Sequence, residues 1–280
     1  MYSKMFPMQE PMQSIKYGVT DRVYQDNYGD RMVHIIGHKI PGNYIVERPN
    51  DILGDPFFNN VTLLLHLDEN FTDSSQLITT LSPQNFGVGS LPTIRNDIFR
   101  SGSGSVFITQ NSRTNYVTPS TSNYFLGGDF TFEFWIYPTA STSAFTGRLF
   151  GYTLAPNDLS NRWTLIQLDN GTFRLFGLSG TILTSTLSAP LNTWTHVALC
   201  KRNNLYSFFI NGTLGGSVTN TNALCNPGGY IHLFGTGFNT DATTFGGYID
   251  EVRITNGVCR YTSNFIPSSR FPDVRERLSY

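Results

Sequence analysis

Acidic side chains are the first groups to consider for catalysis, because hydrolysis of a glycosidic bond needs two carboxyl groups about 5–10 Å apart. Glu133 is the only acid in the apolar segment 130–137. Asp250 and Glu251 are adjacent, so a β-strand is expected to point their side chains to opposite faces. The sequence also lacks the Gly-x-Ser-x-Gly and His-Glu-x-x-His motifs of common hydrolases. It therefore predicts a protein that is not an enzyme and has no catalytic residue.

Three tryptophans have ring faces of the kind that bind the C–H surface of a sugar. Trp135 and Trp194 lie in apolar segments and are predicted to pack in the core, as is His196. Trp163 follows a polar loop and is the predicted exposed ligand-binding residue. Loops rich in Ser, Thr, Asn and Gly are expected to form a variable ligand surface on a rigid scaffold; these are residues 138–147, 153–162 and 235–246.

The three cysteines are Cys200, Cys225 and Cys259. An odd number without Cys-x-x-Cys spacing is a poor basis for a disulfide framework or a zinc site. The pattern predicts buried or incidental thiols.

The elements that must position these residues are short strands. Apolar and aromatic segments recur from Phe57 onward with turn residues between them, which is typical of a β-sandwich or closed barrel. Side chains alternate between the two faces of segment 130–137. One face has Phe130, Phe132, Phe134 and Ile136, and the other has Thr131, Glu133, Trp135 and Tyr137. Asp169-Asn170-Gly171 and Asn211-Gly212 predict hairpin turns. The other predicted strands are 61–67, 105–109, 115–118, 148–152, 163–168, 172–177, 193–201, 205–210, 230–234 and 248–255.

Composition supports an all-β fold and excludes several kinds of partner. Charged residues make up 14% of the chain, whereas long amphipathic helices need a charged face. The net charge is −1 with scattered basic residues, which argues against nucleic-acid binding. We find no apolar stretch of about 20 residues for membrane insertion, and residues 1–13 lack the apolar core of a signal peptide.

Residues 1–56 differ from the rest, because they mix Met, Pro, Tyr and charges without a sustained period. Met32–Ile36 is the one predicted strand there. We interpret the region as an extended arm that becomes ordered on a partner, and the alternative is a loosely packed extension of the main domain. The predicted docking residues are Met32, His34, Ile36 and Tyr44.

Four segments resemble the concanavalin A-like, laminin-G-like family. They are LLLHLDE (63–69), GGDFTFEFWIYP (127–138), NTWTHVALCKRNNLYSFFINGT (192–213) and GGYIDEVRITNGVCRYTSNFIPSSRFP (246–272). The resemblance implies an all-β, two-sheet antiparallel jelly-roll sandwich over residues 57–273, with a tail at 274–280. Cys259 stands where the family usually has Ala, which suggests a small buried site.

The resemblance also implies a metal site. In the family, the acid after the first strand and the Asp of the Ile-Asp-Glu strand lie near a shared structural metal, and these positions correspond to Asp68 and Asp250. Asp73 is a weaker third ligand. Calcium is the predicted ion, since hard cations prefer carboxylate and carbonyl oxygens. The alternative is that Asp250 caps a turn or pairs with Arg253 while Asp68 faces solvent.

The segment 246–272 is similar to the C-terminal signature of laminin-G-like modules in virion proteins of tailed phages. The resemblance implies a structural or accessory protein of a phage particle, present in several copies, made in the host cytoplasm and docked to capsid or tail subunits through residues 1–56. Its sandwich is then expected to cement neighbouring subunits, to bind host glycans, or to do both. The alternatives are a free or cell-surface lectin and a glucanase-like hydrolase.

Overall fold

The apolar segments form two antiparallel β-sheets in the computed structural model of the chain. The structure describes residues 54–273 together with four short strands before residue 45. Within 54–273 the exceptions are 86–88, 111, 113, 120–125, 141–146, 155–161, 169, 222–223, 225–227 and 236–244.

Sheet I has eight strands. The strands are β5 (Val61–Leu65), β7 (Thr93–Arg95), β8 (Ser105–Ile108), β10 (Phe130–Pro138), β15 (Thr195–Arg202), β16 (Leu205–Ile210), β17 (Thr213–Thr219) and β19 (Gly247–Asn256). Their order is β17-β16-β15-β10-β19-β8-β7, and β5 also pairs with β19. The two longest strands of the sheet, β10 and β19, therefore lie side by side.

Sheet II has seven strands in the order β14-β13-β12-β11-β18-β9-β6. They are β6 (Ser82–Asn85), β9 (Thr114–Val117), β11 (Gly147–Thr153), β12 (Arg162–Gln167), β13 (Thr172–Gly177), β14 (Gly180–Ser188) and β18 (Tyr230–Leu233). The described residues contain no α-helix, only a 3-10 turn at Phe58–Asn60. Accordingly, no helix among them is long and apolar enough to cross a membrane.

The core lies between the two sheets and is rich in aromatic rings. Phe132 and Phe134 of β10 contact Phe150 of β11, with ring centroids 4.7 and 4.8 Å apart. All three rings are buried, as are Phe130 and Ile136 on the same face of β10. This packing of one sheet on the other confirms the predicted all-β sandwich of two antiparallel sheets.

The Asn211-Gly212 turn joins β16 to β17, as predicted. Both residues have positive φ angles, 49° and 73°, which is the conformation that a tight hairpin turn requires. Gly212 also accepts a hydrogen bond from Phe265 N at 2.9 Å, and the Phe265 carbonyl leaves no space for a side chain at Gly212. The turn therefore fixes the position of the C-terminal segment as well.

The chain divides into two compact units: Asn59–Phe271, which contains both sheets, and Met1–Phe58 with Pro272–Tyr280. The second unit contains two hairpins, β1 (Arg22–Gln25) with β2 (Met32–Ile35), and β3 (Lys39–Ile40) with β4 (Asn43–Tyr44). Of the predicted docking residues, Met32 and His34 lie in β2 and Tyr44 lies in β4. Ile36 and the predicted tail 274–280 are outside the described residues. The docking role of this region stays a prediction.

Candidate functional site

Residues Gly257–Phe271, which we call the strap, pack on the face of sheet I opposite the core. Trp135 of β10 donates a hydrogen bond from its indole nitrogen to the carbonyl of Ser268 at 3.0 Å. The guanidinium of Arg253 in β19 stacks 4.1 Å from the centre of the Phe271 ring. The strap therefore buries a layer of polar residues that would otherwise face solvent.

Glu133 is the centre of this buried layer. One carboxylate oxygen accepts hydrogen bonds from Arg253 Nε at 2.9 Å and Nη2 at 2.8 Å. The other accepts from the Tyr261 hydroxyl at 2.8 Å, and His196 Nε2 lies 3.3 Å from it. Arg260 Nε is 3.8 Å from the first oxygen. His196 is fully buried, but it lies on the face opposite the core against Phe265 and Phe271 of the strap, so the prediction that it packs in the core is wrong.

These contacts decide the protonation state of Glu133. Burial alone would raise the pKa of its carboxyl group, but Arg253, His196 and Arg260 together lower the pKa well below its usual range. A general acid for glycoside hydrolysis needs the opposite, a carboxyl group with a raised pKa. Glu133 is therefore suited to holding the strap on the sheet and unsuited to donating a proton.

Asp250 and Glu251 lie on the same face of the sheet, so the prediction that they point to opposite faces is wrong. The pairing of β10 with β19 shifts register between Glu133 and Trp135, and Glu251 has a φ of 50°. This β-bulge adds one residue to β19 and interrupts the two-residue alternation. Glu251 consequently accepts a hydrogen bond from Phe271 N of the strap at 2.8 Å.

Both predicted metal ligands bind the loop Arg100–Ser103 instead of meeting at an open site. Asp250 accepts hydrogen bonds from the backbone N–H of Arg100 at 2.8 Å and of Ser101 at 3.1 Å. Asp68 accepts one from Ser103 N at 2.8 Å. Burial raises the pKa of Asp250 to about 7, although the two N–H donors lower it. A raised pKa is typical of a general acid, but this side chain is fully buried.

The donors at these carboxylates do not fit a calcium site. The second oxygen of Asp68 pairs with the Arg270 guanidinium at 2.9 Å, and the second oxygen of Asp250 accepts a hydrogen bond from Glu251 N at 2.8 Å. Calcium requires six to eight oxygen ligands, and the described residues contain no cluster of three or more His, Cys, Asp or Glu side chains that could hold a metal. Asp73, the weaker third candidate, instead accepts hydrogen bonds from Leu64 N, Ser75 N and Thr79 N.

The tryptophans are arranged differently from the sequence prediction. Trp163 is fully buried, with its ring 6.1 Å from that of Phe132, so the prediction that it is exposed to a ligand is wrong. The residue lies within β12, and its side chain points into the core rather than out from the preceding loop. Trp135 is buried as predicted, but under the strap. Trp194 is half-buried and accessible in part, so the prediction that it packs in the core is wrong.

Four aromatic side chains form a row across one end of sheet I. Phe107 of β8 lies 5.0 Å from Tyr248 of β19, Tyr248 lies 6.1 Å from Tyr137 of β10, and Tyr137 lies 5.5 Å from Trp194, between ring centroids. Phe107, Tyr137 and Trp194 are half-buried, whereas Tyr248 is 3% exposed. We call these four residues the aromatic row.

An exposed ion pair borders the aromatic row. Arg95 stacks 4.7 Å from the centre of the Phe107 ring and 5.7 Å from that of Tyr248. Its guanidinium pairs with Asp97 at 2.5 Å, and Asp97 accepts a hydrogen bond from the Tyr248 hydroxyl at 2.9 Å. Partly exposed ring faces next to exposed hydrogen-bonding groups are the combination that sugar recognition uses.

Two of the three predicted ligand loops begin or end at this row. Segment 138–147 follows Tyr137, and segment 235–246 ends two residues before Tyr248. Their described ends are joined by a hydrogen bond from Thr139 N to Gly246 O at 3.1 Å. The aromatic row was not predicted from the sequence. Tyr137 and Tyr248 are far apart in the chain, and only the register between β10 and β19 brings them together.

Comparison with protein-family models identifies one match, over residues 111–260, to the concanavalin A-like lectin/glucanases superfamily. That match spans more than half of the chain. The search of curated proteins found no match.

Solved structures share the sandwich fold at low sequence identity. Domain 4 of AbnA, a GH43 extracellular arabinanase from Geobacillus stearothermophilus solved with arabinotriose, is 18% identical with a TM-score of 0.55. The match covers 71% of this chain and 94% of that one. The binding domain of Paraclostridial Mosquitocidal Protein 1 is 17% identical with a TM-score of 0.53, covering 71% and 49%. The binding domain of botulinum neurotoxin serotype G is 16% identical with a TM-score of 0.51, covering 74% and 48%. The chain thus spans nearly all of the arabinanase domain and about half of each toxin domain.

Removal of the Glu133 charge is expected to destabilise the sandwich. Glu133→Gln leaves the buried Arg253 without its counter-ion, which costs about 3–5 kcal/mol of unfolding free energy. Because the pKa of Glu133 is lowered in the folded state, its contribution is present above pH ~4.3 and is lost as the pH falls below that value. The variant should therefore also show a weaker loss of stability in acid, as measured by urea denaturation from pH 7 to pH 3.

Glu69→Gln is the matched control, since Glu69 is exposed and its removal should change the unfolding free energy by less than about 0.5 kcal/mol. Equal stability of the two variants at pH 7 would contradict the role assigned to Glu133.

Calcium is expected to leave the melting temperature unchanged, because backbone N–H groups and Arg270 already bind the oxygens of Asp68 and Asp250. Calorimetry in excess calcium and in EGTA measures this directly. A stabilisation of several degrees by calcium that disappears in Asp68→Asn would show that the carboxylates do bind the ion.

Proposed function

The chain belongs to the concanavalin A-like lectin/glucanases superfamily, and on this basis we propose that its sandwich is a non-enzymatic carbohydrate-binding module. The observation that carries the proposal is the aromatic row with the bordering pair of Arg95 and Asp97. The proposed ligand is an oligosaccharide chain that lies across the end of sheet I.

The aromatic row offers a sugar both kinds of contact that it needs. The half-buried rings of Trp194 and Tyr137 present apolar faces to C–H groups, with little loss of side-chain entropy because each ring already packs on its neighbour. Arg95 and Asp97 have side chains about 40% exposed and supply charged donors and acceptors for hydroxyl groups. The ion pair itself adds little stability at such exposure, so these groups are free to exchange partners.

The polar residues beneath the strap support binding rather than hydrolysis. The carboxyl groups of Glu133, Asp250 and Glu251 are fully buried and hydrogen-bonded within the protein. A glycosidase must place two carboxyl groups on either side of an accessible glycosidic bond. The strap keeps substrate from Glu133 and Glu251, and the loop Arg100–Ser103 binds Asp250, which is fully buried.

The solved structures that share the fold also support a binding function. The arabinanase domain was solved with arabinotriose, and the toxin domains are described as binding domains. Since the identities are below 20%, these structures support the class of function without identifying the sugar.

Truncation of the row is expected to weaken glycan binding. We expect Trp194→Ala and Tyr137→Ala each to lower affinity at least about tenfold, since central aromatic contacts in binding sites contribute 1.4 kcal/mol or more. The measurement is a glycan array that includes arabino-oligosaccharides, followed by calorimetric titration of the tightest binder.

Leu205→Ala is the control, because Leu205 is an exposed apolar residue at the opposite end of sheet I. Its affinity should match that of the unmodified protein. Affinities that are unchanged in the two row variants would place the sugar elsewhere, and an array without any binder would overturn the proposal itself.

We further propose that the module is carried on a phage particle, as a capsid decoration or as a component of the tail or fibre. The support is the similarity of segment 246–272 to the signature of such virion modules. In this proposal residues 1–56 dock several copies to capsid or tail subunits, and the sandwich binds a host surface glycan. A free or cell-surface lectin is the alternative.

Deletion of residues 1–53 should abolish attachment to particles while the sandwich remains folded. Co-sedimentation of full-length and truncated protein with particles that lack the chain measures attachment, and circular dichroism verifies folding. A truncated protein that still decorates particles would contradict docking through the arm, and particles that bind neither form would favour the free lectin.

A further inference from the structure

Two cysteines are in contact across the interface between sheet I and the strap. Cys200 lies in β15 on the face opposite the core, and Cys259 lies near the start of the strap. Cys259 packs on a small buried cluster of Ala198, Cys200 and Phe209. The Cys259 side chain therefore lies against the cluster that contains Cys200, and both thiols are free.

Thr131 fixes the relative position of the two cysteines. Its hydroxyl group lies 3.6 Å from Cys200 Sγ. The same hydroxyl donates to Val258 O at 3.1 Å and accepts from Arg260 N at 2.8 Å, so it binds the residues on both sides of Cys259. One side chain of β10 therefore holds the strap so that Cys259 packs against the cluster containing Cys200.

The two thiols differ in access and acidity. Cys200 is 1% exposed, and burial raises the pKa of its thiol. Cys259 is half-buried, and the hydrogen bond with Cys200 lowers the pKa of its thiol to about 7. A thiolate at the surface with a second thiol beside it is the arrangement of an attacking and a resolving cysteine.

We propose that Cys200 and Cys259 form a disulfide bond when the protein meets a small oxidised disulfide such as oxidised glutathione, and that this bond joins the strap covalently to sheet I. The reaction concerns a modification site distinct from the aromatic row.

The exchange is balanced in two steps. The Cys259 thiolate attacks one sulfur of oxidised glutathione, forms a mixed disulfide and releases one glutathione thiolate, which takes up a proton. Cys200 then attacks Cys259 Sγ and releases the second glutathione, to which its own proton passes. Two protein thiols are oxidised to one disulfide, and one oxidised glutathione is reduced to two molecules of glutathione.

The bond is expected to stabilise the fold because it connects positions far apart in sequence. A cross-link between residues 200 and 259 restricts a long loop in the unfolded chain. It also keeps the strap over Glu133 and Glu251, which accept hydrogen bonds from the strap residues Tyr261 and Phe271. We expect the melting temperature to rise by roughly 5 °C or more.

The test uses the full chain with Cys225→Ser, because Cys225 lies outside the described residues and would complicate the pairing. The protein is incubated with oxidised glutathione from pH 6 to pH 8.5, alkylated and digested without reduction. Mass spectrometry should find the peptide containing Cys200 linked to the peptide containing Cys259. The reaction rate should increase with pH through about 7, as the Cys259 thiolate forms.

The two single variants separate the roles of the thiols. With Cys200→Ser we expect glutathione to remain attached to Cys259, and with Cys259→Ser we expect no reaction of the folded protein. The oxidised protein should melt at a higher temperature, and a reducing agent should reverse the increase. If the protein that keeps both Cys200 and Cys259 shows only glutathione on Cys259, or no reaction at all, the disulfide proposal is wrong.

Discussion

The ion pair between Glu133 and Arg253 is the interaction on which the outer face of sheet I depends. Burying either charge alone would cost several kcal/mol, so each requires the other, and Tyr261 of the strap supplies a further donor. The strap must therefore cover the sheet for the layer to be stable. This arrangement explains why acids that suggest catalysis by residue type are enclosed within the protein, and why the accessible chemistry lies at the end of the sheet.

Much of the sandwich follows from the sequence, because its central strands are strongly patterned. The alternation in 130–137 identified the core face of β10, and Asn211-Gly212 identified the turn between β16 and β17. Four edge strands were missed: β14 and β17 because their Thr, Ser and Gly residues resemble those of loops, and β6 and β7 because they are only three or four residues long. The bulge at Glu251 was also missed, because a bulge adds a residue without a distinctive residue type.

The candidate binding site was also predicted only in part, because local sequence patterns do not show which distant strands pair. Trp163 follows polar residues in sequence, yet it belongs to a strand and points inward. The aromatic row joins residues of β8, β10 and β19 with Trp194, and their proximity depends on register between strands more than a hundred residues apart. The loops beside the row can be predicted from a single sequence, but the strand pairing that brings the rings together cannot.

The three tryptophans provide the most direct test of the claim that the aromatic row binds sugar. They occupy three environments: Trp163 in the core, Trp135 beneath the strap, and Trp194 in the row. The indole N–H signals of nitrogen-15-labelled protein can be followed by NMR during titration with the tightest oligosaccharide from a glycan array. We predict that the Trp194 signal shifts to saturation while the Trp135 and Trp163 signals stay unchanged. Saturable binding that leaves the Trp194 signal in place would contradict the account.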